Sequence, residues 1–408
     1  MLHDPKRHET LNVHAWDEAE ARRFIEQLVA TTEASYSEDA YWPLHPQDRE
    51  DDGPDQIETP MYHGAAGVIW ALHYLNASGV AAITRNYLAD WMRLLDCNRR
   101  WLGADLNKEG ASYLMGDTPI LMMALGAHAD PSLADVASDL IAGNTSHAAR
   151  ELMWGAPGTL LAALFLYERT GEQRWADLFR SSADVLWEQL EWSQQHGCAY
   201  LPQELYGRPS SYLDAVHGFV STAVPLVRGR HLLGGDRWGQ WKACIANTVR
   251  RTADLEDGQA NWRPQLFGTQ KEADKKLLQF CHGSPGFVIC LAGWPDDELD
   301  DLLIAAGEAT WAAGPLNKGS NLCHGTAGNG YAFLVLYQRT NDPKWLARAR
   351  AFGMHAIDQA RSAARLYGQQ RYSLWTGDLG LAVFVWDCVR GQAAFPTLDV
   401  FYGPPIAH

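Results

Sequence analysis

The chain has 408 residues, 47% hydrophobic and 20% charged, a balance that suits a large globular core and excludes a disordered chain. Its formal net charge of -15 argues against nucleic acid or an anionic membrane as the main partner. No apolar run approaches the roughly 20 residues of a membrane span, and the charged start "MLHDPKRHETLNVH" lacks the apolar core of a secretion signal.

The seven cysteines are scattered and odd in number, which fits free thiols or metal ligands in a reducing compartment, with the cytoplasm as the default. Along the chain, the first predicted element is an amphipathic helix in "DEAEARRFIEQLVATTEAS", within an N-terminal segment of residues 1–60. Its apolar face must pack on some other part of the chain. An acidic cluster, "DREDDGPDQIE", comes next at 48–58.

From Tyr62 onward a pattern repeats: a Gly-x-x-Gly turn, or a relaxed form, followed by a helix-like apolar run. Examples are "YHGAAGVIWALHYL", "MWGAPGTLLAALFLY" and "WTGDLGLAVFVWDCV", and the leading glycines are Gly64, Gly116, Gly155, Gly218, Gly283, Gly325 and Gly377. Two copies carry Pro119 and Ser221 where the second glycine stands elsewhere. The copies lie roughly 40 to 65 residues apart. Between them run charged segments such as "EQRWADLFRSSADVLWEQLEW", with the apolar spacing of a helix that buries one face.

Apolar helices entered through glycine turns thus alternate with amphipathic ones. Seven such pairs predict an all-α, double-layered α/α toroid of seven helical hairpins and about fourteen helices, because closure buries the end repeats. One domain is expected over residues 61–408, since no linker divides it. The glycines are expected to serve positive φ and close backbone approach at helix starts.

The residues just before the leading glycines are His63, Met115, Trp154, His217, His282, His324 and Thr376, a set rich in histidine. Cys281 and Cys323 stand one step earlier, in "CHGSPG" and "CHGTAGNG". Thiolates and imidazoles are the preferred ligands of zinc, and catalytic zinc sites use three protein ligands with an open fourth position. Cys281, Cys323 and His324 make such a set from successive repeats. His282 stays open as a ligand or a cavity residue. Taken singly, a buried cysteine is an ordinary small hydrophobe and a histidine beside a glycine an ordinary cap; the duplication is what favours metal.

On "CHGSPG", "CHGTAGNGYAFLVLY", "SLWTGDLG" and the "FPTLDVF" tail, with the repeat pattern from about Met61, the chain resembles the lanthionine synthetase C-like proteins. It is more similar to the stand-alone members, which have His after the first Cys, than to the antibiotic cyclases. The resemblance implies an α/α toroid binding one zinc ion at Cys281, Cys323 and His324. It further implies activation of a thiol for addition to a dehydroamino acid. His217, in "DAVHGF", matches a histidine assigned to acid–base work. Glu151, in "ELMWGAPG", stands where the cyclases have Asp. Lys318 matches a basic position linked to glutathione binding, while Arg365 and Arg371 are further candidate charges without a firm alignment. His63 and His282 are expected to line the same cavity.

These readings predict a cytoplasmic zinc enzyme joining glutathione to dehydroalanine or dehydrobutyrine in a protein or peptide through a thioether. A lanthionine cyclase acting on a precursor peptide's own cysteines is the first alternative. A scaffold that holds zinc and glutathione without turnover is the second. A carbohydrate enzyme of the same architecture ranks last, because it would need paired carboxylates and leave the cysteines without purpose.

Overall fold

The computed structural model describes residues 2–12, 14–49, 57–128, 130–268 and 276–403. Most of the acidic cluster at 48–58 therefore lies outside the described residues. The helices longer than one turn are α1 (Glu18–Ala34), α2 (Ala65–Ala77), α3 (Trp91–Leu102), α4 (Thr118–Ala127), α5 (Pro131–Gly143), α6 (Ala156–Thr170), α7 (Gln173–Glu188), α8 (Phe219–Arg228), α9 (Gly235–Thr252), α10 (Ser284–Cys290), α11 (Asp300–Ala313), α12 (Thr326–Thr340), α13 (Pro343–Tyr367) and α14 (Asp378–Arg390).

Among the described residues three short antiparallel hairpins interrupt them: β1 (Glu191–Ser193) with β2 (Cys198–Tyr200), β3 (Gln203–Leu205) with β4 (Arg208–Ser210), and β5 (Ala253–Glu256) with β6 (Gln259–Trp262). Strands of three or four residues are too short to show an alternating pattern.

The chain divides into two compact units. One comprises Met1–His8, Ala111–Leu114 and Pro131–Gly314. Its glycine-led helices α8 and α10 are buried along nearly all their length and α6 from Ala156 to Leu166, whereas α7 and α9 bury one face through Trp175, Phe179, Trp241 and Ile245. Trp262 of β6 stacks on Phe287 of α10, with ring centroids 4.1 Å apart and planes 6° apart. Bulky rings thus fill the gaps between helices.

The other unit comprises Glu9–Gly110, Met115–Asp130 and Pro315–His408. Here α12 and α13 form a hairpin, and α13 covers one flank of α14. Among the described residues no helix follows α14, which packs also against α1, an amphipathic helix that buries Phe24, Ile25 and Leu28. The N-terminal helix therefore supplies the amphipathic partner that the last glycine-led helix would otherwise lack.

Three pairs of turns are joined through the residues two before their glycines. Leu114 N–H donates to Met153 O, and Cys323 N–H donates to Trp375 O. Trp375 N–H in turn donates to Tyr62 O at 3.0 Å, tying the last turn to the first.

Close approach, rather than positive φ, explains the glycines. Among the seven leading ones only Gly283 has positive φ, at 107°. A Cβ on Gly218 would lie 1.9 Å from the backbone nitrogen of Asp214, and one on Gly286 would lie 2.1 Å from the carbonyl oxygen of Phe280. Real Cβ atoms do not tolerate such distances, so the chain can fold back over the helix start only where no side chain intervenes.

Candidate functional site

Within the first unit, the turn before α6 presents Glu151. This fully buried carboxylate accepts from the backbone N–H groups of Met153 (2.9 Å) and Trp154 (2.7 Å). Its Oε2 also sits 3.0 Å from Nδ1 of His217, in the turn before α8. Asp214, likewise fully buried, accepts from Val216 and His217 N–H through Oδ1. Its Oδ2 lies 2.6 Å from Nδ1 of His282, although the alignment falls short of a hydrogen bond.

Two buried carboxylates therefore face two histidines. Burial opposes charge on His217, but the Glu151 hydrogen bond and the charges of Glu151, Asp214 and Cys281 outweigh it and push its pKa up to about 9. At His282 burial is again opposed, chiefly by the Asp214 and Cys281 charges, and its pKa is also raised.

Cys281 is buried in the tight loop closed by reciprocal backbone bonds between Gln279 and His282. Its Sγ accepts from Gln279 Nε2 at 2.9 Å, and Gln279 Oε1 accepts from Arg7 at 2.8 Å. Cys323, in the turn before α12, is also buried, and its Sγ accepts from the Tyr62 hydroxyl at 2.8 Å. His324 is half-buried, with its backbone N–H held by Asn321 Oδ1 at 3.0 Å.

Cys281 lies in the first unit and Cys323 and His324 in the second, and their thiols and imidazole are donors of the kind that holds a metal ion. The chemistry of the donors fits zinc: two sulfurs, each receiving a hydrogen bond that favours the thiolate, and one imidazole. Replacing Tyr62 with phenylalanine removes only the hydroxyl, and metal affinity is expected to fall about tenfold. Competition with a chromophoric chelator measures this; an unchanged affinity would mean that the Tyr62 bond does not tune the site.

Of the remaining sequence candidates, His63 turns its Nδ1 toward Glu58 at 3.1 Å. Lys318 is exposed and lines a cavity of about 500 Å³ together with Ser320, Asn321, Arg371 and Asp378. The Arg371 guanidinium is engaged by Asp48, through Nε at 2.7 Å and a second bond. Arg365 donates to Ser362 on its own helix. Burial pushes the pKa of Asp378 up to about 6, against bonds from Arg371 N–H and Ser320.

Asp214, Tyr62 and Gln279 were not singled out from the sequence. A signal existed for two of them. The residue four before a leading glycine is polar in six turns: Ser112, Glu151, Asp214, Gln279, Asn321 and Ser373. At Glu151, Asp214 and Asn321 it accepts from the backbone N–H three residues on. Tyr62 carries no such mark.

A family model described as lanthionine synthetase C-like protein matches residues 55–400. Glutathione S-transferase LANCL1 of Danio rerio is 29% identical over 264 residues, covering 61% of this chain and 62% of that protein. LanC-like protein GCL1 of Arabidopsis thaliana is 36% identical over 134 residues, covering 31% of each chain. The matches thus span less than two thirds of these relatives' own lengths. Among solved structures, nisin cyclase superposes with a TM-score of 0.56 at 14% identity, covering 91% of this chain and 100% of that one. That likeness concerns fold alone, and the fold is the all-α, double-layered toroid expected from the repeats. On the family match over most of its length, the chain belongs to the lanthionine synthetase C-like proteins.

Proposed function

We propose that the protein is a zinc-dependent enzyme that adds the thiol of glutathione to dehydroalanine or dehydrobutyrine in a protein or peptide, forming a thioether. The observation that carries this reading is the paired Cys-His-Gly motif, in which Cys281 and Cys323 are buried and each sulfur accepts a hydrogen bond, with His324 beside the second. These three residues would hold one zinc ion, which when bound lowers the pKa of a coordinated thiol so that thiolate is available at neutral pH.

The protein's own groups serve the rest of the reaction. Sulfur bonds to the β-carbon, the alkene electron pair moves to the α-carbon as an enolate, and that carbon takes a proton. His217 is suited to donate it: Glu151 occupies Nδ1, which leaves Nε2 to face substrate, and a pKa of about 9 keeps the ring protonated at neutral pH. Solvent then restores the imidazolium. Asp214 orients both histidine-bearing turns, and His282 is assigned to the wall of the site. Lys318, at the edge of its cavity, offers a charge for a glutathione carboxylate.

The name of the Danio rerio relative supports glutathione as the thiol. The nisin cyclase likeness keeps ring closure on a precursor peptide as a second reading. All seven cysteines are free thiols, as suits a reducing compartment such as the cytoplasm. None of the described helices is long and apolar enough to cross a membrane.

The test incubates zinc-loaded protein with a dehydroalanine peptide and glutathione and follows intact mass. A peptide heavier by one glutathione, formed only with enzyme and metal, is expected. Absence of that adduct, with cyclisation of a cysteine-containing peptide instead, would overturn the choice of thiol in favour of the cyclase reading.

A further inference from the structure

The hairpin β3–β4 turns at Tyr206 and Gly207, both with positive φ (53° and 71°). Two-residue turns of this kind favour Asn, Asp or Gly, and a bulky residue there is unfavourable. Core packing does not require the tyrosine, because Tyr206 is 73% exposed. Its ring instead stands edge-on to His217, with centroids 6.0 Å apart, and its hydroxyl accepts from Trp154 Nε1 at 3.4 Å. The Tyr212 ring lies 6.0 Å from both His217 and His282.

The hairpin is anchored where it matters. Gln203, at its base, donates to the carbonyl of His217 and accepts from Tyr212 N–H at 2.8 Å. Glu204 N–H is held by Ala148 O. The exposed ring is therefore tied to the same loop that carries the proposed proton donor.

A lone dehydroamino acid is small and polar and gains little from three aromatic rings. A peptide has amide planes and neighbouring side chains that stack on such surfaces, and exposed aromatics held rigidly are typical anchors. We infer that Trp154, Tyr206 and Tyr212 form a shelf beside His217 for the peptide segment flanking the dehydroamino acid, with an apolar or aromatic neighbour preferred. The inference rests on the proposed thiol addition and adds to it the residues that bind the acceptor beyond its reacting unit.

The test compares kcat/KM for two acceptors, N-acetyl dehydroalanine methyl ester and a heptapeptide with central dehydroalanine flanked by leucines. Wild type is expected to prefer the peptide at least tenfold. Tyr206→Asn keeps a residue the turn favours and removes the ring; the preference should fall about tenfold, through KM for the peptide, while Tyr206→Phe restores it. Binding of the unreactive peptide with alanine at the centre, measured without thiol, should weaken in Tyr206→Asn in the same proportion. Equal preference for both acceptors in wild type, or an unchanged ratio and unchanged peptide binding in Tyr206→Asn, would overturn the shelf. No adduct on either acceptor would instead overturn the thiol-addition reading, and the binding arm would still decide the shelf.

Discussion

Cys323→Ala is expected to purify folded but without stoichiometric metal, and to form thioether more than about 100-fold slower than wild type. The loss should exceed the 10–100-fold that accompanies removal of a ligand's hydrogen-bond partner, because one of three donors is gone. The fold should survive, since Cys323 joins its neighbouring turn through the backbone bond to Trp375 O, which alanine keeps. Elemental analysis and circular dichroism, run with the mass assay, check all three points. A variant that binds one zinc per chain and turns over normally would remove Cys323 from the ligand set.

His217→Asn is expected to keep its zinc and lose about 10²–10⁴ in kcat, the usual range for a missing acid or base. The pH profile carries a second expectation. With its pKa raised to about 9, the ring donates a proton below that pH, so activity should fall as pH rises through 9. Glu151→Gln removes the partner that sustains the charge, and the falling limb should move down toward the ordinary 6.5 of histidine or lower, because burial then acts unopposed by Glu151. Linkage gives the same sign for stability: the contribution of the His217–Glu151 pair is complete below 6.5 and fades as pH rises through about 9. A limb that stays in place in Glu151→Gln would assign the proton to another group.

The architecture was legible because each repeat writes the same sentence: glycine turn, apolar helix, amphipathic helix. What the pattern could not supply is visible at α1, whose apolar face was evident but whose partner, α14, lies at the other end of the sequence. The glycines were noticed for a reason that holds only in part. Their backbones are mostly ordinary, and the constraint is the neighbouring chain packed where a Cβ would be.

At the candidate site, Cys281, Cys323 and His324 stood out because the paired Cys-His-Gly motif marks two repeats of seven. Their hydrogen-bond partners did not. Tyr62 reaches Cys323 from 261 positions away, a relation that no local spacing encodes. Position in the repeat also failed to fix direction: His63 precedes its glycine as His217 does, yet it turns to Glu58. Tyr206 was hidden for a different reason, since it lies in a hairpin outside the repeat altogether. An aromatic residue in a two-residue turn is a conflict that becomes apparent only once the hairpin is known.

Zinc-edge X-ray absorption of the loaded protein, before and after saturating glutathione, tests zinc-centred thiol activation most directly. Two sulfur neighbours at about 2.3 Å with lighter donors are expected first, and a third sulfur once glutathione is present. A sulfur count that glutathione leaves unchanged, or a metal without two sulfur ligands at the start, would contradict it.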